Sequence, residues 1–203
     1  YFLKLCRQYH VNVQQKMRIE PKYLVDSDPN PFIRVDLNEC ILCTRCIRAC
    51  AEIQGRFVWG LANRGIENQI IAGSGVPLLQ ARCESCGACV DYCPTGALSH
   101  KPSYGALNAE KKVQTTCSYC GVGCNFDLNV KDDEVVKITP NPNALVNGKH
   151  LCVKGRYGYK FINHPDRLKR PKVRQYLLEQ GQQKPIEIGP WVEVDWETAL
   201  TIV

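Results

Sequence analysis

Two stretches decide how this chain is read: Cys40-Ile41-Leu42-Cys43-Thr44-Arg45-Cys46-Ile47-Arg48-Ala49-Cys50 and Cys83-Glu84-Ser85-Cys86-Gly87-Ala88-Cys89-Val90-Asp91-Tyr92-Cys93-Pro94. Both run C-x2-C-x2-C-x3-C, so the chain contains an internal repeat, expected as two copies of one supersecondary unit. Thirteen cysteines in 203 residues allow a disulfide scaffold or metal ligation. Disulfide proteins have no need of tight triplets, whereas twelve of these thirteen cysteines fall into three groups, eleven of them tightly spaced. Ligation is the better reading. It implies a reducing compartment, or metal insertion before export.

The third group, Cys117-x2-Cys120-x3-Cys124 with a distant Cys152, is not another copy of the repeat. A turn with three thiolates and a fourth returning across a hairpin still closes one four-thiolate site. Gly121 and Gly123 are expected to let the backbone pass close to it. Spacing alone leaves zinc open here. In the first two groups zinc would call for isolated C-x2-C pairs. Soft thiolates suit iron–sulfur chemistry.

Outward from these groups the chain reads as follows. Residues 1–31 are the tail of an upstream region, a short helix marked by Leu3, Leu5, Val11 and Val13, then a turn-rich loop over Asp26-Ser27-Asp28-Pro29-Asn30-Pro31. Residues 32–105 hold the repeat, with Phe57-Val58-Trp59 and Gln69-Ile70-Ile71 as strands of an inserted hairpin. Residues 106–114 read as a linker. Residues 115–170 carry the third group; alternating Phe126, Leu128 and Val130, the turn Asp132-Asp133 and Val135-Val136-Lys137-Ile138 form a hairpin signal. Residues 171–203 turn polar, with Gly181, Pro185 and Gly189-Pro190 as breakers and Asp195 capping a helix from Trp196. The fold class is α+β, loop-rich around the thiolate groups. The chain opens on Tyr1 and stops within that helix, so both ends read as cut.

Hydrophobic content of 44% and charged content of 23% are ordinary for a globular protein. No stretch reaches the roughly 18 apolar residues of a membrane span, and no signal peptide is visible. The net charge of +6 does not call for nucleic acid. Three four-iron clusters with their thiolates would bring about −6, and no basic run is interleaved with aromatics.

In two-cluster ferredoxins the cysteine on the following helix points at the other cluster. The repeat resembles that arrangement, which implies one cluster on Cys40, Cys43, Cys46 and Cys93 and another on Cys83, Cys86, Cys89 and Cys50. The second copy has its Pro94, and the first has Ala51 instead.

Thr115-Thr116-Cys117-Ser118-Tyr119-Cys120-Gly121-Val122-Gly123-Cys124 and Leu151-Cys152-Val153-Lys154-Gly155-Arg156-Tyr157-Gly158-Tyr159 resemble the N-terminal 4Fe–4S domain of molybdenum- or tungsten-pterin oxidoreductases. Asn163-His164-Pro165-Asp166-Arg167-Leu168-Lys169-Arg170-Pro171 is similar to the formate dehydrogenase branch. The resemblance implies three 4Fe–4S clusters and, in a longer parent, a bis-molybdopterin guanine dinucleotide with molybdenum or tungsten acting on formate or CO2. It implies a cytoplasmic subunit feeding an NAD(H)/flavin diaphorase or ferredoxin-type partner. Lys154 becomes an electron-relay candidate beside the pterin, and Arg156 a cofactor or cluster neighbour. The catalytic residues of that family lie beyond this stretch, so the chain alone is expected to be inactive. Alternatives are another molybdopterin-family enzyme, the iron–sulfur subunit of an NADH dehydrogenase complex, and a stand-alone polyferredoxin. Cys6 reads as a buried hydrophobe; Trp59, Trp191 and Trp196 read as packing residues, and His10, His100, His150 and His164 as structural or surface groups.

Overall fold

A computed structural model describes residues 2–10, 21–105, 109–179 and 189–202 of the chain. Val11, Val13, Gly181 and Pro185 lie outside the described residues. The chain divides into two units, Tyr1–Lys160 and Phe161–Val203.

In the first unit, α1 (Phe2–Gln8) buries Cys6, the hydrophobe expected there. The repeat is framed by β1 (Ile33–Val35), which pairs antiparallel with β4 (Leu98–His100). This strand pair encloses both cysteine groups and is absent from the sequence reading, because three residues are too few to show a period. Asn30 anchors it. Fully buried, it accepts the Phe32 and Ile33 N–H groups at 2.9 Å and donates to Ser85 Oγ at 2.9 Å, so its buried amide is satisfied on both sides.

Helix α2 (Arg45–Arg48) follows the first triplet and continues into a π-helical turn, Ala49–Ile53. Helix α3 (Ala88–Tyr92) follows the second triplet and ends at once, with Cys93 extended at φ −75° and ψ 114°. Pro94 causes the difference. It lacks an N–H and forces the residue before it out of the helical region, whereas Ala51 lets the first copy run on. The inserted hairpin is β2 (Trp59–Ala62) against β3 (Gln69–Ala72). It starts two residues later than expected, because Phe57 is left-handed at φ 54° and exposed. Val58, Trp59, Ile70 and Ala72 from this hairpin join Ile33, Leu78, Leu98 and Cys46, Cys50 and Cys89 in one core. The hairpin is therefore the apolar wall that two adjacent thiolate groups could not supply.

Three strands follow in the order β5 (Lys111–Thr116), β6 (Asn125–Lys131), β7 (Glu134–Pro140). Residues 111–114 were expected as the end of a linker and are instead the first part of β5. Their exposed face hid the strand, since Lys111, Lys112, Val113 and Gln114 show no inward alternation. The β6–β7 turn is as expected: Asp132 and Asp133 are both left-handed, at φ 51° and 59°, which is the type I′ pattern. Helix α4 (Val153–Tyr157) closes this part.

In the second unit β8 (Lys172–Arg174) pairs with β9 (Trp191–Glu193), a pairing the polar composition concealed. Helix α5 (Gln175–Leu178) follows β8. Helix α6 (Trp196–Ile202) starts where expected, with Asp195 accepting the Thr198 N–H at 2.7 Å. Trp59 is a packing residue, but Trp191 and Trp196 are exposed. Trp191 instead lies under the Arg174 guanidinium, 4.2 Å from ring centroid to Cζ, a cation–π contact.

Candidate iron–sulfur sites

The two copies of the repeat bend alike. Leu42 and Ser85 are left-handed at φ 55° and 54°, and Thr44 and Gly87 at 59° and 76°. These are the same steps in each copy. Three of the four are not glycine, a conformation with a cost that the surroundings must offset. The bend turns backbone N–H groups onto sulfur: Leu42 N–H donates to Cys40 Sγ at 3.4 Å, and Ser85 N–H to Cys83 Sγ at 3.3 Å. Two further donors serve the fourth cysteines, Val58 N–H to Cys50 Sγ at 3.3 Å and Leu98 N–H to Cys93 Sγ at 3.5 Å.

Two cavities open among these sulfurs. One is walled by Cys40, Cys43 and Cys46 of the first copy and Cys93 of the second, with Ile70 and Leu98 behind. The other is walled by Cys83, Cys86 and Cys89 of the second copy and Cys50 of the first, with Val58 and Trp59 behind. Each copy therefore lends one cysteine to the other. Among the described residues no three His, Cys, Asp or Glu side chains converge on a point that would hold a single ion. Sulfurs spread around an apolar cavity fit a polynuclear group.

Burial disfavours free thiolates at most of these positions. Burial pushes Cys46 up to about 11 and Cys89 well above the ordinary thiol value; it also raises Cys83 and Cys86. Cys93 is the exception. Burial opposes it, but N–H donors from Leu98, Thr95 and Gly96 bring it below the usual value. Buried thiolates need a bound cation centre to stay ionised.

The third group is also gathered. Cys124 is raised chiefly by burial and then by the proximity of Cys117, Cys120 and Cys152. Cys117 N–H donates to the Cys124 carbonyl at 2.8 Å, closing the turn. Gly123 is left-handed at φ 71°, as the turn requires. Gly121 is not, and a side chain there would meet open space, so its freedom is not what shapes this turn. Cys152 caps α4, its Sγ accepting the Gly155 N–H at 3.5 Å. A Cβ on Gly155 would stand 3.8 Å from Cys117 Sγ, so α4 runs close behind the site. Cys120 and Cys152 are exposed.

Lys154 is exposed on the first turn of α4, two residues after Cys152. Arg156 points the other way. It is 1% exposed, donates Nε–H to the Cys86 carbonyl at 2.7 Å, and grips both Asp91 carboxylate oxygens. Its donors are thus spent inside the chain, next to the second ferredoxin-type site. Sequence reasoning missed Asp91, His100 and Tyr157 around it. His100 Nδ1 and Tyr157 Oη are 2.9 Å apart, and His100 Nε2 is 3.7 Å from Asp91. The C-x3-C spacing that places Asp91 two residues before Cys93 was the one available signal. His100 is thereby structural and buried, while His10 and His164 are exposed.

Two family descriptions match the chain: the ferredoxin-like domain of NADH-quinone oxidoreductase subunit 3 over residues 30–99, and the molybdopterin oxidoreductase Fe4S4 domain over residues 110–164. The chain thus carries, one after the other, a stretch similar to each of these two iron–sulfur domains. It is 30% identical over 218 residues to a Staphylococcus aureus (strain USA300) protein provisionally named a formate dehydrogenase, covering 88% of this chain and 21% of that one. It is 28% identical over 229 residues to the Bacillus subtilis (strain 168) oxidoreductase YjgC, covering 93% and 22%. The chain thus spans about a fifth of the length of these relatives. A solved NAD+-reducing nickel–iron hydrogenase superposes with a TM-score of 0.37 at 25% identity, over 54% of this chain and 46% of that one; so loose a fit has no bearing on function. No helix of the described residues is long and apolar enough to cross a membrane.

Proposed function

We propose that this chain is the electron-transfer portion of a formate dehydrogenase-like molybdenum or tungsten oxidoreductase, with three 4Fe–4S clusters on the twelve grouped cysteines. The observation that supports it most is the exchange of Cys50 and Cys93 between the two cavities, which is the arrangement two clusters side by side call for. Each cluster, when bound, takes up and releases one electron at a time. The chain's own residues fix the sulfurs, keep water from the two buried sites with Trp59, Ile70 and Leu98, and aim N–H donors at Cys40, Cys50, Cys83, Cys93 and Cys152. Such donors favour the more negative, reduced form. Lys154 presents an exposed cation beyond the Cys152 site, where the pterin cofactor of a longer parent would lie, and there it would favour arrival of an electron. The formate assignment rests on the 163–171 motif and on the provisional name of the Staphylococcus relative. We assign the acceptor to an NAD(H)/flavin diaphorase or ferredoxin-type partner in the cytoplasm, in keeping with thirteen free cysteines.

A second reading, the iron–sulfur subunit of an NADH dehydrogenase complex, is favoured by the match over residues 30–99. Iron and acid-labile sulfide per chain, with low-temperature EPR of the reduced protein, separate the cases for the wire. About twelve irons with interacting four-iron signals support it; about eight irons and one zinc would make the Cys117 site structural and break the route. Formate-dependent dye reduction by the full-length protein, lost on Lys154→Ala with iron retained, supports the formate reading; reduction by NADH alone overturns it.

A further inference from the structure

The buried arginine of α4 has a use that ligand spacing does not reveal. Its main-chain N–H donates to the carbonyl of Cys152 at 3.0 Å, and its side-chain Nε–H donates to the carbonyl of Cys86 at 2.7 Å. Cys152 belongs to the third group and Cys86 to the second ferredoxin-type group. One residue therefore joins a ligand of each site through two hydrogen bonds. The guanidinium cannot turn away, since both Asp91 oxygens hold its other nitrogens and Tyr157, stacked on Phe32 at 4.6 Å, lies beside it.

Gly87 was shaped around this contact. A Cβ there would fall 2.5 Å from Arg156 Cδ and 2.6 Å from Nε, so the side chain lies flat on the Cys86–Gly87 peptide. At the matching step of the first copy stands Thr44, left-handed at φ 59°. The two copies thus differ where the arginine lies, and only there does the second copy need glycine for space as well as for φ.

We infer that Arg156 is the positioning residue that links the third site to the second ferredoxin-type site and raises the reduction potential of the latter. This rests on the iron–sulfur reading above. A guanidinium keeps its charge at any working pH. Held dry beside a cluster, it stabilises the added electron far more than a solvated cation would. Asp91 moderates the effect, so the two charges act with opposite sign. An electron leaving the third site then finds the second site the more favourable, and a short hydrogen-bonded path to it.

The test is an EPR-monitored redox titration of the cluster-loaded protein, the second site's signal being assigned with Cys50→Ser. In Arg156→Gln the equilibrium constant for reducing the second site is expected to fall about tenfold, which is 59 mV for one electron, with the first site unmoved. Arg156→Lys should fall between. Asp91→Asn should shift the second site in the opposite direction, and it decides the matter should Arg156→Gln fail to fold. Potentials unmoved in a loaded Asp91→Asn protein, or shifted the same way in both variants, overturn the inference while leaving the clusters in place. No redox-active cluster on Cys50, Cys83, Cys86 and Cys89 in the unaltered protein overturns the iron–sulfur reading itself.

Discussion

At position 87 two demands fall on one residue: a left-handed φ of 76° and room for the Arg156 side chain. Alanine meets neither. Gly87→Ala should lower stability by about 2 kcal/mol or more and loosen the second site first, read as a lower denaturation midpoint and faster iron release. Thr44→Gly, at the matching step, frees a strained backbone and should leave the first site in place. His100 provides a second residue-scale prediction. Burial lowers its pKa below the usual 6.5, and Arg156 and Lys137 add to this while Asp91 opposes it. The folded state thus binds its proton less readily than the unfolded state. Stability from this group is complete above about pH 6.5 and is lost as pH falls through the folded value. The slope of stability against pH just below about 6.5 should be positive and should flatten in His100→Gln. Arg156 was singled out from the resemblance as a cofactor or cluster neighbour, but the partners it meets were not legible in the sequence. The cysteines declare themselves by spacing, but Arg156, Asp91 and His100 come from three separated segments and meet only because the Arg156 side chain reaches from α4 to Asp91 of α3.

Elements were legible where side chains alternate or turn residues are special, and illegible where neither holds. The β6–β7 hairpin was read from Phe126, Leu128 and Val130 with Asp132-Asp133 between the strands. Strand β5 was not, because its outer position leaves it exposed along most of its length. The turn invites a test. Aspartate tolerates the left-handed region only moderately, and the second turn position of a type I′ hairpin favours glycine. Asp133→Gly should raise hairpin stability by about 0.5 kcal/mol. Its ion pair with Lys111, 3.5 Å between exposed groups, contributes too little to offset this. Amide hydrogen exchange along β6 and β7 would report the change, and slower exchange is the expected result. Pro94 makes a similar point at the end of α3. It holds Cys93 in an extended conformation, so Pro94→Ala should let the helix lengthen and carry Cys93 Sγ away from the first cavity.

At the scale of the whole first unit, the exchange of cysteines makes the two copies interdependent. If each copy held its own cluster, Cys50→Ser would affect the site of Cys40, Cys43 and Cys46. The cavities assign it otherwise: Cys50 stands with Cys83, Cys86 and Cys89, and its Sγ takes the Val58 N–H on that side. The substitution should therefore disturb the second site and spare the first. Cys93→Ser should do the reverse, although Cys93 lies four residues from the second triplet. Mössbauer or EPR spectra of the two variants distinguish the cases, since a site with three thiolates tends to a three-iron form or an altered signal. Crossed loss supports the paired arrangement; loss within the mutated copy would sink it. The consequence reaches further than ligation. β1 and β4 close the module from opposite ends of the repeat, and from the one hairpin Ile70 backs the first cavity and Trp59 the second. Neither copy has a core of its own to fall back on. Removing residues of either copy should cost both clusters together, so iron content should drop by about eight rather than about four.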